Sequence, residues 1–324
     1  MTAWLVRGLG MALILTALLM ALAREPDRPA EALVARWAQP PSSFVELRGM
    51  VVHLRDEGPL DDPLPIVLLH GTSSSLHTWE GWVSKLKSQR RVITFDLPGF
   101  GLTGPFGGQY DPDDYRGDSY ARFVLDLLDT LKLPSTTLGS FRVVLGGNSL
   151  GGEVAWRVAS AAPERVASLV LVDATGLAFT PESVPPGFMI ARLPVLGHFS
   201  QWVLPRALVA ASVRAVYGQA QGITPELVDR YFELALRQGN RRALGLRLRQ
   251  VAWGEDSHRV DTLKLPTLIL WGGRDRLVPP AAGADFERRI TGSRRVVFET
   301  LGHVPQEEDP GASVLPVKQF LGLR

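Results

Sequence analysis

A short apolar run, Val143-Val144-Leu145, leads straight into Gly146-Gly147-Asn148-Ser149-Leu150-Gly151-Gly152, and helical spacing follows as far as Ala161. A strand that turns at a glycine-flanked serine and restarts at once as a helix needs a tight, strained backbone. The natural host for such a junction is a β-α unit, and the rest of the chain repeats that alternation. Pro65 to Leu69 and Arg91 to Phe95 are continuous apolar runs, with helical spacing from Trp79 to Leu86 between them. Further strands are expected at Ser168 to Val172, Thr267 to Trp271 and Arg294 to Phe298. Helices are expected from about Asp118 to Leu131, Ala281 to Ile290 and Ser313 to Leu321. Strands that are apolar throughout belong in a parallel sheet covered on both faces. The expected fold class is therefore α/β, a doubly wound and mostly parallel sheet. Phe44 to Leu47 and Met50 to Arg55, joined at Gly49, add a hairpin at its edge.

Two regions stand outside this alternation. From about Gly176 to Leu263 the apolar segments are broken by proline, and helical stretches follow at Pro205 to Tyr217 and behind Thr224-Pro225, an N-cap with proline at the first helical position. Residues 176–263 are read as an inserted helical lid within a domain spanning residues 44–324. At the other end, Gly8 to Ala23 carries no charge, and Trp4 to Ala23 is broken only by Arg7. That length predicts an N-terminal membrane anchor over residues 1–23, with the body on the outer side of the membrane, or a signal segment cleaved after Ala21-Leu22-Ala23 and a secreted product. Residues 24–43, with Pro26, Pro29, Pro40 and Pro41, read as a linker holding at most one short helix.

Composition narrows the chemistry. There is no cysteine, which excludes disulfides, thiolate metal sites and a cysteine nucleophile together. Formal net charge is only +2 and the arginines are scattered among acids, so nucleic acid is not an expected partner. The pairs Arg90-Arg91, Arg241-Arg242, Arg288-Arg289 and Arg294-Arg295 read as solvated helix or strand ends. No Walker loop, no HExxH and no EF-hand spacing occurs, and neither a cofactor nor a metal is expected.

Five motifs in order carry a resemblance: Leu69-His70-Gly71-Thr72, Asp96-Leu97-Pro98-Gly99-Phe100-Gly101, the GNSLGG turn, Trp271-Gly272-Gly273-Arg274-Asp275, and Gly302-His303, each just after a predicted strand. The chain resembles the α/β-hydrolase superfamily of the serine-nucleophile type, nearly throughout from Phe44 to Arg324. A serine hydroxyl needs an adjacent base, and the base needs a partner that fixes its tautomer. The resemblance implies Ser149 as nucleophile, His303 as base and Asp275 as orienting acid, with Asp173 after the earlier strand as the alternative acid. It also implies an oxyanion hole from the backbone N–H groups of Thr72 and Leu150, and a structural role for His70 beside that loop. His53, His77, His198 and His258 read as surface or lid residues, and Ser73-Ser74-Ser75 as a loop over the pocket.

The function these residues imply is cleavage of a carboxylic ester through an acyl-enzyme on Ser149, as in an esterase or lipase, on a small-molecule substrate with an apolar part. Two alternatives stand beside it. One is hydrolysis of a C–C bond in ring-fission products, since relatives of that kind share the GNS-x-GG turn, although Val304 stands where they have an aromatic residue. The other is a member of the fold that binds a ligand without turning it over.

Overall fold

The computed structural model describes residues 4, 6–8, 10, 11, 14, 24–131, 133, 141–193, 196, 197 and 201–324. Its frame is an eight-stranded sheet of order β1-β2-β4-β3-β5-β6-β7-β8. The strands are β1 (Ser42–Leu47), β2 (Met50–Glu57), β3 (Ile66–Leu69), β4 (Val92–Phe95), β5 (Val143–Asn148), β6 (Val166–Val172), β7 (Thr267–Gly272) and β8 (Arg294–Phe298). The β1-β2 hairpin at the edge pairs antiparallel within itself and with β4, and every other pairing is parallel.

Residues of β3, β4, β5 and β7 are buried along their whole length, as continuous apolar runs require. Their side chains alternate between two cores. Val67, Leu69, Ile93, Phe95 and Leu145 face helices α3 (Gly117–Thr130), α4 (Leu150–Ala161) and α9 (Pro280–Arg289), packing on Phe123, Val154 and Phe286. Ile66, Leu68, Val92, Val144 and Leu270 face α2 (Glu80–Leu86) and α11 (Pro310–Phe320), packing on Trp82 and Val317. A short helix, α10 (Pro305–Glu308), precedes α11.

Between β6 and β7 the chain leaves the sheet and forms α5 (Pro186–Arg192), α6 (Arg206–Val216), α7 (Pro225–Ala235) and α8 (Asn240–Gln250). Thr224 caps α7, its side chain accepting from Leu227 N–H. Residues 24–43 lie against these helices and carry α1 (Glu31–Trp37). Glu25 N–H donates to Trp202 O, Arg28 N–H to Leu236 O, and Trp37 Nε1 and Arg36 both reach Glu233. Leu33 is packed with Leu102 and Leu234 beneath them.

The membrane expectation is corrected here. Among the described residues no helix is long and apolar enough to cross a membrane. A helix that crosses hydrocarbon needs about 20 continuous residues, with each backbone group satisfied internally. Of the stretch from Gly8 to Ala23, only Gly8, Gly10, Met11 and Ile14 are among the described residues. Membrane anchorage, and the outer-side or secreted location that rested on it, is withdrawn.

Candidate active site

Ser149 sits at the carboxyl end of β5 with φ 54° and ψ −116°, a strained conformation for a residue with a side chain. The strain is held from several sides: Ser149 N–H donates to Val172 O, while its carbonyl accepts from Glu153 and Thr175. The turn closes only because its flanks lack side chains. A Cβ on Gly147 would stand 2.2 Å from the Gly151 carbonyl carbon, and one on Gly151 would stand 2.1 Å from Leu69 O, both backbone atoms that cannot swing away. Gly151→Ala should therefore lower stability by about 3 kcal/mol or more, read as a shift of the denaturant midpoint. An unchanged midpoint would show that the turn is looser than this.

His303 lies past β8, and its Nδ1 is 2.6 Å from Asp275 Oδ2. Asp275 follows β7 and is buried; its Oδ1 accepts from the N–H groups of Leu277 and Val278, so the carboxylate is locked in direction. Backbone bonds also fix the histidine's position: His303 N–H donates to Val216 O at the end of α6, and His303 O accepts from Asn148 Nδ2 at 2.9 Å. Asn148, the residue before Ser149, thus ties the histidine loop to the turn. The sequence offered no signal for this role, because the tether joins residues 155 positions apart.

Ser149 and His303 line the same cavity, of about 130 Å³, roofed by α5, α6 and α7 and walled largely by apolar side chains such as Phe188, Leu208, Val213 and Leu277. Thr72 is part of its wall. Leu150 is not: it is buried as the first residue of α4, where a helix N-terminus brings positive potential beside Ser149. Ser73 and Ser74 line the cavity too, whereas Ser75 is buried with its Oγ 3.0 Å from His77 Nδ1.

Asp173 directly follows β6 with φ 44° and is fully buried. Its Oδ1 accepts from Gly272 N–H, and its Oδ2 has no hydrogen-bond donor among the described residues. Asp275 Oδ2 is the carboxylate oxygen hydrogen-bonded to His303 Nδ1, and atoms of Asp173, Asp275 and His303 all lie within 4.8 Å of one another. Burial, reinforced by the charge of Asp275, raises the pKa of Asp173 well above the ordinary carboxylate range.

His70 donates from Nδ1 to Gly71 O at 2.7 Å and accepts at Nε2 from Leu97 N–H at 2.9 Å, which bridges the loops after β3 and β4. Burial lowers its pKa, so the bridge holds a neutral ring. Two histidines expected at the surface are not there. His53 is fully buried between Asp96 and Ser42, and His77 is buried against Ser75 and the Trp37 carbonyl. Burial alone would raise the pKa of Asp96; the charge and hydrogen bond of His53 outweigh it and hold the group below the usual range. His258 is exposed, and His198 lies outside the described residues. Two of the arginines expected in solvent are buried as well: Arg91 pairs with Asp56, and Arg241 with Asp27.

Residues 65–310 match the family described as alpha/beta hydrolase fold. The chain belongs to that family. Its similarities within and around the family are broad. An uncharacterized protein of Mycobacterium tuberculosis is 31% identical over 273 residues, covering 79% of this chain and 74% of the relative. A pimeloyl-[acyl-carrier protein] methyl ester esterase of Neisseria meningitidis is 28% identical over 252 residues, 74% of this chain and 71% of that protein. Among solved structures, a meta-cleavage product hydrolase from Pseudomonas fluorescens superposes with a TM-score of 0.71 at 22% identity, covering 86% of this chain and 97% of that one. The last likeness speaks to the fold. An esterase stands among these relatives, so hydrolase chemistry is what the match supports.

Proposed function

We propose that this protein hydrolyses carboxylic esters of small molecules with an apolar acyl part, using Ser149, His303 and Asp275. The observation that carries the reading is the pairing of a strained, glycine-flanked Ser149 with a buried, carboxylate-locked His303 on the wall of one apolar cavity. Ser149 Oγ attacks the ester carbonyl carbon as its proton passes to His303 Nε2, while Asp275 holds Nδ1–H and supports the imidazolium that forms. The Leu150 and Thr72 N–H groups serve the oxyanion. Collapse of the tetrahedral adduct expels the alcohol, which takes the proton from His303. Water then repeats the sequence on the acyl-enzyme and releases the acid.

The apolar wall supports an alkyl or aromatic acyl group. Each methylene that enters such a wall is worth about 0.8 kcal/mol, or roughly fourfold in kcat/KM. A series of p-nitrophenyl esters should therefore rise from acetate upward and fall once the cavity is full. A flat profile would remove the cavity from the acyl site, and no turnover of any ester would remove the reading itself. The C–C alternative has less support from the site, since Val304, not an aromatic ring, borders the cavity beside His303.

A further inference from the structure

The loop that carries His303 is fastened to the lid as well as to the sheet. His303 N–H is spent on Val216 O at the end of α6, and α10, which begins just after the histidine, adds two carboxylates. Glu308 acts on backbone. Its Oε1 accepts from Gly302 N–H at 2.7 Å and its Oε2 from Gly218 N–H at 2.8 Å, which clips the residue before the base to the chain just past α6. The two backbones leave no room for a side chain there: a Cβ on Gly218 would stand 2.5 Å from Gly302 N. Glu307 acts on side chains. Its Oε1 accepts from the Tyr217 hydroxyl at 2.6 Å and from the Tyr231 hydroxyl at 3.1 Å, and its Oε2 accepts from Arg230 Nη2. Tyr217 follows α6, and Arg230 and Tyr231 belong to α7. The ion pair is nearly sealed from water, with side chains 9% exposed in Glu307 and 13% in Arg230. Burial raises the pKa of both tyrosines, so each hydroxyl keeps the proton it donates.

We infer that Glu307 and Glu308 are positioning residues of the reaction, which make the seated lid part of the support that holds His303 beside Ser149. The inference rests on the ester-hydrolase reading above and adds a control on that site. Asp275 steers the imidazole ring through Nδ1, while the loop beneath the ring takes its place from these lid contacts and from Asn148. A base works only within hydrogen-bond reach of the proton it takes, and a displacement of about 1 Å can cost about a hundredfold in rate. The same lid segments wall the cavity, since Val216 and Tyr231 line it together with His303. A lid that lifts to admit an ester withdraws Val216 and Gly218 from the base loop and parts Arg230 from Glu307. Reseating restores these bonds together, so acyl transfer runs on the closed cavity and stops on the open one. Leaving a buried charge without its partner is costly, which keeps the seated state favoured.

The test measures kcat and KM for p-nitrophenyl acetate and p-nitrophenyl octanoate on the full-length protein and on Glu307→Gln, Glu308→Gln, Tyr217→Phe and the Glu307→Gln/Tyr217→Phe double variant. Rates are taken per active site, counted by exhaustive fluorophosphonate labelling, so loss of folded material does not enter. Glutamine keeps the length of the side chain but has one acceptor oxygen, and its amide N–H groups face a donor. Each glutamine variant should lose about tenfold to a hundredfold in kcat, by the same factor for both esters, with KM moved less than about threefold. Tyr217→Phe should lose about threefold or more in kcat alone, and less than about twofold when Glu307 is already glutamine. A kcat within about twofold of wild type in both glutamine variants would overturn the inference, as would a loss confined to KM or to the octanoate, which would make the two glutamates supports of the acyl wall only. An unchanged kcat in Tyr217→Phe would overturn it even where a glutamine variant fails to fold. No turnover of either ester by the wild type would overturn the ester-hydrolase reading instead.

Discussion

Ser149→Ala is expected to lower kcat for an ester by a factor on the order of 10⁶, the loss seen when a triad nucleophile is removed, with residual turnover coming from the oxyanion donors and binding alone. The variant should fold. Ser149 holds its place through backbone bonds to Val172, Glu153 and Thr175, none of which uses the hydroxyl, and alanine presents the same Cβ to the turn. Steady-state kinetics with a p-nitrophenyl ester, beside a thermal melt of both proteins, checks the two halves of this statement. A variant that keeps more than about a hundredth of the activity would mean that another group attacks the substrate.

The second large effect separates the two buried aspartates. Asp275→Asn should cost about 10⁴ in kcat, because an amide cannot hold His303 in the tautomer whose Nε2 accepts a proton. Asp173→Asn should cost little by comparison, since burial beside Asp275 already favours the neutral form of that carboxyl and an amide is neutral. Stability gives an independent reading with a fixed sign. A carboxyl whose folded pKa is raised binds its proton more tightly in the native state, so wild type loses stability as pH rises from the unfolded value near 4 toward the folded one. Asp173→Asn removes that dependence. The variant should match or exceed wild type in denaturant midpoint at pH 7 to 8, with the advantage shrinking as pH falls toward about 4. Loss of activity in Asp173→Asn equal to that in Asp275→Asn would make Asp173 the orienting acid.

Much of the frame is legible in the sequence because parallel strands covered on both faces read as nearly continuous apolar runs. Ile66 to Leu69, Val92 to Phe95 and Thr267 to Gly272 are such runs, and each is a strand. What the sequence does not show is burial that depends on a distant partner. His53 and Asp96 meet across 43 positions, and Arg241 and Asp27 across 214, so neither basic residue announces that it lies inside. The anchor expected over residues 1–23 rested on hydropathy, and among the described residues no helix is long and apolar enough to cross a membrane. The chemistry-bearing positions are easier to find than their supports. Asn148, which tethers His303 to the serine turn, occupies a variable place within the motif that identifies its neighbour.

Everything turns on a hydroxyl made nucleophilic by its surroundings. Intact-mass measurement after exposure to a fluorophosphonate probe, followed by peptide mapping, tests this most directly. One adduct per chain, located on Ser149 and lost in His303→Ala, is the expected result; an enzyme that turns over ester yet takes up no probe, or carries it on another residue, would contradict the account.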